Sequence, residues 1–164
     1  MSLIIRPARL ADAPEIIAAI DAVCAEKIYL LSERYVPNAP WEAVLRQEET
    51  PNHLLLAPVM DERIIGWCRV FAGPFPKTGH VADVGIGLLA PYRGQGIGAA
   101  LMEHAIAWAI ARGFEKLTAD TFDDNARARA LFRKMGFVES GARHRQYKIN
   151  GIYRDQILLE RFLP

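Results

Sequence analysis

Apolar positions along this chain repeat with two different periods, and the points where the period changes predict the elements. Leu3 to Arg6 reads as a first strand closed by Pro7. Asp12-Ala13-Pro14-Glu15 reads as a helix start, with Asp as N-cap, Pro in the first turn and Glu at the capping-box position. Ile16, Ile17, Ile20 and Val23 supply the buried stripe of that helix. Between Ala25 and Asn52 the pattern lapses. Pro37 and Pro40 interrupt it, and Trp41 to Glu49 is expected to form a second helix. His53 to Met60 and Ile64 to Phe71 flank Asp61-Glu62-Arg63 as a hairpin, and Gly73 to Gly79 is a loop. A strand follows from His80 to Leu89. Ile97, Leu101, Ala105 and Trp108 then recur at helical spacing in a helix that runs to Arg112 and stops at Gly113. Glu115 to Phe122 reads as a strand, Asp123-Asp124-Asn125 as a cap, and Ala126 to Met135 as a helix closed by Gly136. Asn150-Gly151 marks a tight hairpin between two long terminal strands.

Strands dominate early and late, with β-α-β crossovers between them. This order implies an α/β fold of the α+β type, with a mixed, mostly antiparallel sheet carrying helices on both faces. Residues 1–164 are expected to form a single domain. An apolar fraction of 51% with 24% charged residues is that of a globular chain, and a net charge of +1 gives no global field for nucleic acid or anionic membrane. Binding therefore falls to a local site. Cys24 and Cys68 lack Cys-x-x-Cys spacing and read as reduced thiols of a cytoplasmic protein. His53, His80, His104 and His144 lack metal-ligand spacing, so no metal is expected. The start of the chain has no long apolar signal core, and no stretch reaches membrane-span length.

The local site is Arg93-Gly94-Gln95-Gly96-Ile97-Gly98, which joins the apolar strand to the apolar-faced helix. Glycines at alternate positions remove side chains that would hold a ligand off the backbone. The first helical turn beyond them presents unpaired N–H groups and the positive end of the dipole. Arg93 at the lip is expected to add a side-chain donor, so the run reads as a cradle for a phosphate-bearing ligand. Ala99-Ala100 follow where a nucleoside-triphosphate loop needs Lys and Ser or Thr. Gly85-Ile86-Gly87-Leu88-Leu89-Ala90 fits the loose dinucleotide pattern, but it lies within a strand and meets Pro91 rather than a helix.

With Asn125, Ala128, Leu131-Phe132 and Gly136-Phe137 downstream, this loop resembles the paired signature of the GNAT superfamily of N-acetyltransferases. The likeness is dense from Asp83 to Phe137. It implies a central sheet splayed open beside the strand ending at Leu89, with acetyl-CoA as the acetyl donor in that cleft. Leu88, Leu89 and Ala90 would pair with the pantetheine amides. N–H groups from Arg93 through Gly94, Gln95, Gly96, Ile97 and Gly98 to Ala99 would hold the pyrophosphate, and Asn125 would bond the cofactor arm. The activity implied is direct attack of a primary amine on the thioester. Its alternative is a non-catalytic acyl-CoA-binding module.

Asp83 matches a position where related enzymes carry the carboxylate that takes the amine proton, with His80 as the other candidate base. A backbone N–H near Leu89 would stabilise the developing oxyanion. Phe132 stands where the family often has the tyrosine that protonates the leaving sulfur. That leaves Tyr92, Tyr147 or Tyr153 to supply the proton, Tyr147 first among them, or the thiolate to depart unaided. Asp21, Glu26, Glu33, Tyr29, Tyr35 and Trp41, interleaved with Lys27 and Arg34, read as a solvated helix face rather than an amine site. Residues 143–148 read as an exposed basic strand. A small-molecule amine or a protein N-terminus is the expected acceptor, with a homodimer through the late strands left open.

Overall fold

The computed structural model describes residues 2–37 and 52–164. Eight strands form one sheet: β1 (Leu3–Pro7), β2 (His53–Met60), β3 (Arg63–Ile64), β4 (Gly66–Ala72), β5 (Val81–Leu88), β6 (Lys116–Phe122), β7 (Val138–Ile149) and β8 (Ile152–Phe162). Their order is β1-β2-β4-β5-β6-β8-β7, with β3 paired to β2. Each of these pairings is antiparallel except β5 with β6. Among the described residues the α-helices are α1 (Ala13–Ala25), α2 (Ile97–Ala111) and α3 (Ala126–Lys134). The helix expected at Trp41 to Glu49 lies outside the described residues.

Alternation along the strands divides the core in two. On one face Leu55, Ala57, Ile64 and Trp67 pack against Ile16, Ala19, Ile20 and Val23 of α1. On the other, Cys68, Val70, Ala82, Val84 and Leu117 meet Ile97, Leu101, Met102 and Ala105 of α2 and Phe132 of α3. The apolar stripes read from the sequence are therefore the stripes that bury, and burial of these side chains at about 25 cal/mol per Å² is the main stabilising term.

Two local expectations are corrected. Asp12 makes no side-chain cap to α1; its carboxylate takes the Arg6 guanidinium (2.6 and 2.9 Å) and the Arg9 N–H (2.7 Å). Glu15 accepts from the Ile64 N–H (3.1 Å) instead of closing a capping box. A 3₁₀ turn at Leu10–Asp12 precedes the helix, and it turns Asp12 back toward β1. The β2 hairpin also differs from a simple pair. Its turn places Asp61 and Glu62 at positive φ (48° and 63°). The register then slips by one between β3 and β4, because Val59 faces Ile64 whereas Leu56 faces Cys68. Ile65 sits in this bulge. It donates to Pro58 O (3.0 Å), and its own carbonyl accepts the Leu89 N–H (2.9 Å). The terminal hairpin forms as expected, with Asn150 and Gly151 at φ 50° and 80°.

Candidate functional site

The parallel pairing of β5 with β6 covers only Val81–Lys116, Ala82–Leu117 and Asp83–Thr118. Beyond Asp83 the strands part. Hydrogen-bonded pairs recur at every second residue of an antiparallel ladder. With Leu89 donating to Ile65 O in an unbroken β4–β5 register, the odd-numbered residues of β5 are bonded to β4. The N–H groups of Ile86 and Leu88 therefore face the open side. The Leu89 N–H itself is used by the bulge, so the open-side N–H next to it is that of Leu88. The opening is a cleft of about 550 Å³, lined by β5 from Asp83 to Leu88, by Gly98, by Asn125, Ala128, Leu131 and Phe132, and by Tyr29 to Ser32 and Arg34 to Val36.

At one end of the cleft lies the glycine loop. Gly94 and Gly96 adopt φ 74° and 82°, and a Cβ at either would meet nothing within 4 Å. Left-handed backbone and open space together account for glycine at these two positions. Gly98 differs, because a Cβ there would lie 3.2 Å from Leu131 Cδ2; its role is the close approach of α2 to α3. Gly96 is the N-cap of α2, and its carbonyl accepts from Ala100. The N–H groups of Gly94, Gln95, Gly96, Ile97, Gly98 and Ala99 meet no acceptor among the described residues, as a phosphate cradle requires. The Arg93 N–H, by contrast, is bonded to Ala90 O (3.3 Å).

The Arg93 side chain is a correction. Its Nε donates to Leu88 O (2.8 Å), its two terminal nitrogens grip Glu26 (2.8 and 2.6 Å), and its guanidinium lies 4.7 Å over the Tyr29 ring. It fastens the cleft strand to the segment after α1 rather than standing free at the lip. That segment is a series of turns and bends, not a helix face. Lys27–Glu33 and Arg34–Asp21 are its outer ion pairs, while Tyr29 and Tyr35 line the cleft. Trp41 lies outside the described residues.

Asp83 stands at the fork. Arg69 Nη2 lies 3.2 Å from one carboxylate oxygen, and the Thr118 hydroxyl donates to the other (3.3 Å). Burial pushes this carboxyl above the ordinary range. The nearby Asp120 charge adds to that rise, while Arg69 and Thr118 oppose it. A base with a raised pKa in a cleft is suited to taking a proton from an ammonium near neutral pH. His80 is exposed and does not line the cleft.

Asn125 caps α3 by accepting the Ala128 N–H (3.1 Å) and lines the cleft as well. Phe132 is 4% exposed and packs edge-on against Phe137. Tyr147 lies outside the cleft lining, with its ring edge-on to Phe122 at 4.9 Å; burial first, then the Asp120 charge, raises its hydroxyl pKa. Tyr92 packs against the core, and Tyr153 is exposed beneath Arg145 and Lys148. The basic strand at residues 143–148 is exposed apart from Tyr147, as expected.

Three participants were missed from the sequence. Arg69 and Asp120 share a sheet face with Asp83, a placement that needs the strand register. Trp67 lies across β5 where Gly87 has no side chain; a Cβ at Gly87 would overlap its indole. Gly85 likewise leaves room for the Arg69 guanidinium, with Nε 3.1 Å from where a Cβ would stand. The Gly-x-Gly of the cleft strand thus makes room for the Trp67 and Arg69 side chains.

Residues 21–137 match the Acetyltransferase (GNAT) family. The chain is 29% identical over 134 residues to the N-alpha-acetyltransferase RimI of Mycobacterium tuberculosis, covering 78% of each protein. Over 120 residues it is 27% identical to the L-amino acid N-acetyltransferase AaaT of Escherichia coli, covering 71% of this chain and 72% of the relative. A stretch of 93 residues is 32% identical to the uncharacterized N-acetyltransferase YycN of Bacillus subtilis, covering 56% of this chain and 60% of that protein. Among solved structures, an acetyltransferase of the GNAT family from Streptococcus pneumoniae superposes with a TM-score of 0.90 at 26% identity, over 99% of this chain and 100% of that one. A phosphinothricin acetyltransferase from Sinorhizobium meliloti, in complex with AcCoA, shares the fold with a TM-score of 0.88 at 20% identity, over 99% of this chain and 89% of that one. With the split sheet, the glycine cradle and the family match all falling on the same residues, the chain belongs to the GNAT family of acetyltransferases.

Proposed function

We propose that this protein is an acetyl-CoA-dependent N-acetyltransferase that passes an acetyl group directly to a primary amine. The observation that carries this reading is the fork itself: a strand edge left open from Asp83 onward, ending in a glycine loop whose N–H groups lack acceptors. The residues fit the donor. The pyrophosphate falls to the N–H groups from Gly94 to Ala99, and the pantetheine arm to the open edge of β5 around Ile86 and Leu88 and to Asn125, with Ala128, Leu131 and Phe132 forming the apolar wall. Relatives in the same family solved with AcCoA bound support this choice of donor. When bound, acetyl-CoA supplies the activated acyl group as a thioester.

The chain's residues then divide the remaining work. Asp83 attracts the incoming ammonium and takes its proton, leaving the nitrogen lone pair free. The Ile86 and Leu88 N–H groups are the donors nearest to hand for negative charge developing on the acyl oxygen. Among the described residues Tyr29 and Tyr35 are the tyrosines that line the cleft, while Phe132 stands on the donor wall and offers no proton, so in this reading the thiolate leaves unassisted. The relatives named as an L-amino acid N-acetyltransferase and an N-alpha-acetyltransferase are in keeping with an amine acceptor. Buried, unpaired Cys24 and Cys68 favour a reducing, cytoplasmic setting, and among the described residues no helix is long and apolar enough to cross a membrane.

The test is thiol release from acetyl-CoA across a panel of amines. Amine-dependent release that is lost in Asp83→Ala and Gly96→Val is expected. Tight acetyl-CoA binding with no amine raising release above hydrolysis would leave only a binding module.

A further inference from the structure

We propose that Arg93 is a positioning residue, the link through which a bound donor sets the acceptor wall at residues 26–36 for transfer. The inference rests on the acetyl-CoA reading of the same cleft and adds how its two halves are joined. Arg93 makes bonds in two directions. Its Nε donates to Leu88 O at 2.8 Å, and its two terminal nitrogens take the two Glu26 oxygens at 2.8 and 2.6 Å. The guanidinium also lies 4.7 Å over the Tyr29 ring. A planar fork holds three such donors in fixed directions at once, whereas a lysine ammonium is a point charge on a flexible stem.

Each end of this link belongs to one substrate. Leu88 is the last residue of β5. In an antiparallel ladder a residue's N–H and C=O leave the strand on the same side, so the Leu88 carbonyl shares the open edge with its N–H. That edge is where the pantetheine arm adds to the sheet. At the other end, Glu26 is the C-cap of α1, and Tyr29, Leu30 and Val36 beyond it line the cleft. Trp67, Arg69 and Asp83 share one face of the sheet, and Trp67 packs there against α1. The amine bound for Asp83 therefore approaches from the α1 side, where this wall stands. The wall's ion pairs Lys27–Glu33 and Arg34–Asp21 stay within the segment or return to α1, so neither reaches the donor strand.

The sign of the coupling follows from the carbonyl. Its oxygen has two lone pairs, so an amide of the donor joins Arg93 at Leu88 O without displacing it. The second bond fixes the end of β5, and the fork passes that restraint to Glu26 and Tyr29. By reciprocity, an acceptor held against the wall tightens the donor by the same factor. A rival route runs through apolar packing, because Tyr29, Leu30 and Leu89 rest on one buried cluster.

Hydrogen exchange of the wild-type protein, Arg93→Gln and Arg93→Lys, each free and saturated with CoA, separates the two routes. Calorimetry of CoA on each variant fixes the concentration that saturates it. In the wild type CoA is expected to slow exchange at residues 94–99 and, by about 5-fold or more, at residues 26–36. In Arg93→Gln the loop still slows and residues 26–36 do not. Arg93→Lys keeps the charge, which guards against a folding failure, and loses most of the response at 26–36 as well. With the fastest amine of the panel, both variants lose mainly through the acceptor KM. A wild-type response at 94–99 with none at 26–36 overturns the proposal and leaves the donor reading intact. A response at 26–36 that persists in full in either variant assigns the link to the apolar cluster and also overturns it. No response at 94–99 overturns the donor reading, and the proposal with it.

Discussion

Arg93 and Glu26 lie 67 residues apart and form a two-bond ion pair of 2.8 and 2.6 Å, with side chains 13% and 26% exposed. The pair couples the two halves of the cleft, because the same guanidinium caps Leu88 O at the donor strand and covers Tyr29 at the acceptor wall. Glu26→Ala leaves a largely buried cation without its partner and is expected to cost about 1–3 kcal/mol of stability. Both Glu26→Ala and Arg93→Ala should raise the acceptor KM more than the acetyl-CoA Kd. A double-mutant cycle read by urea denaturation should give a coupling of about 1–3 kcal/mol. A loss of acetyl-CoA affinity in Arg93→Ala alone would return the side chain to the phosphate.

Gly96 and Gly113 form a matched pair for separating strain from binding. Both adopt left-handed φ (82° and 80°), and neither has a neighbour within 4 Å of a Cβ. Replacing either with Ala is expected to lose about 1–2 kcal/mol. Gly96→Val should in addition raise the acetyl-CoA Kd by 10-fold or more as an order of magnitude, because its side chain occupies the cradle. Gly113→Ala leaves that Kd unchanged. Equal effects on binding would mean that the phosphates lie elsewhere.

Gly87→Ala drives a methyl group into the Trp67 indole and should destabilise by about 1–3 kcal/mol. Trp67→Leu in the same chain should recover part of that loss, measured as the shift in urea midpoint. Without such recovery, the strand glycine would serve the backbone rather than the ring.

The raised pKa of Asp83 sets a sign for pH dependence. A carboxyl whose pKa is higher folded than unfolded favours the folded state when protonated. Its contribution is fully present below the unfolded value of about 3.9 and is lost as pH rises through the folded value. Comparing wild type with Asp83→Asn by denaturation between pH 4 and 8, the difference should move against the wild type with rising pH. In the same window wild-type kcat/KM should rise as Asp83 ionises, and Asp83→Asn should flatten that limb.

Tyr147→Phe keeps the ring on Phe122 and removes only the hydroxyl. Turnover should stay within a few-fold of wild type. A drop of about 10²-fold or more would be the size of general acid catalysis and would make this tyrosine the proton donor.

The parts of the fold legible in the sequence are those governed by neighbours in the chain. The α2 stripe, the Asn125 cap, the left-handed Gly113 and Gly136, and the Asn150-Gly151 turn all depend on residues within one or two turns of each other. The parts that are not legible depend on long-range pairing. Which β5 amides face the cleft follows from the bulge at Ile65, about 20 residues upstream, and a shift of one residue reverses the answer. Arg93 carries phosphate-binding chemistry in its side chain, but Glu26, at the C-cap of α1, claims it. Asp12 and Glu15 have the letters of a capping box, and Arg6 and the Ile64 amide take their carboxylates. Arg69 reaches the site only through the β4–β5 register.

The short parallel pairing of β5 with β6 has one more consequence. Strands β1 to β5 with α1 and α2 come from residues up to 111, and β6 to β8 with α3 from residues 116 onward, so the opening falls at a single point along the chain. A donor molecule seated there acts as a clasp between two consecutive portions of the polypeptide, and its affinity is also mechanical reinforcement. At a hundred times its Kd, such a ligand adds about 2.7 kcal/mol to the folded state. Hydrogen exchange along β5 and β6 should register that gain first.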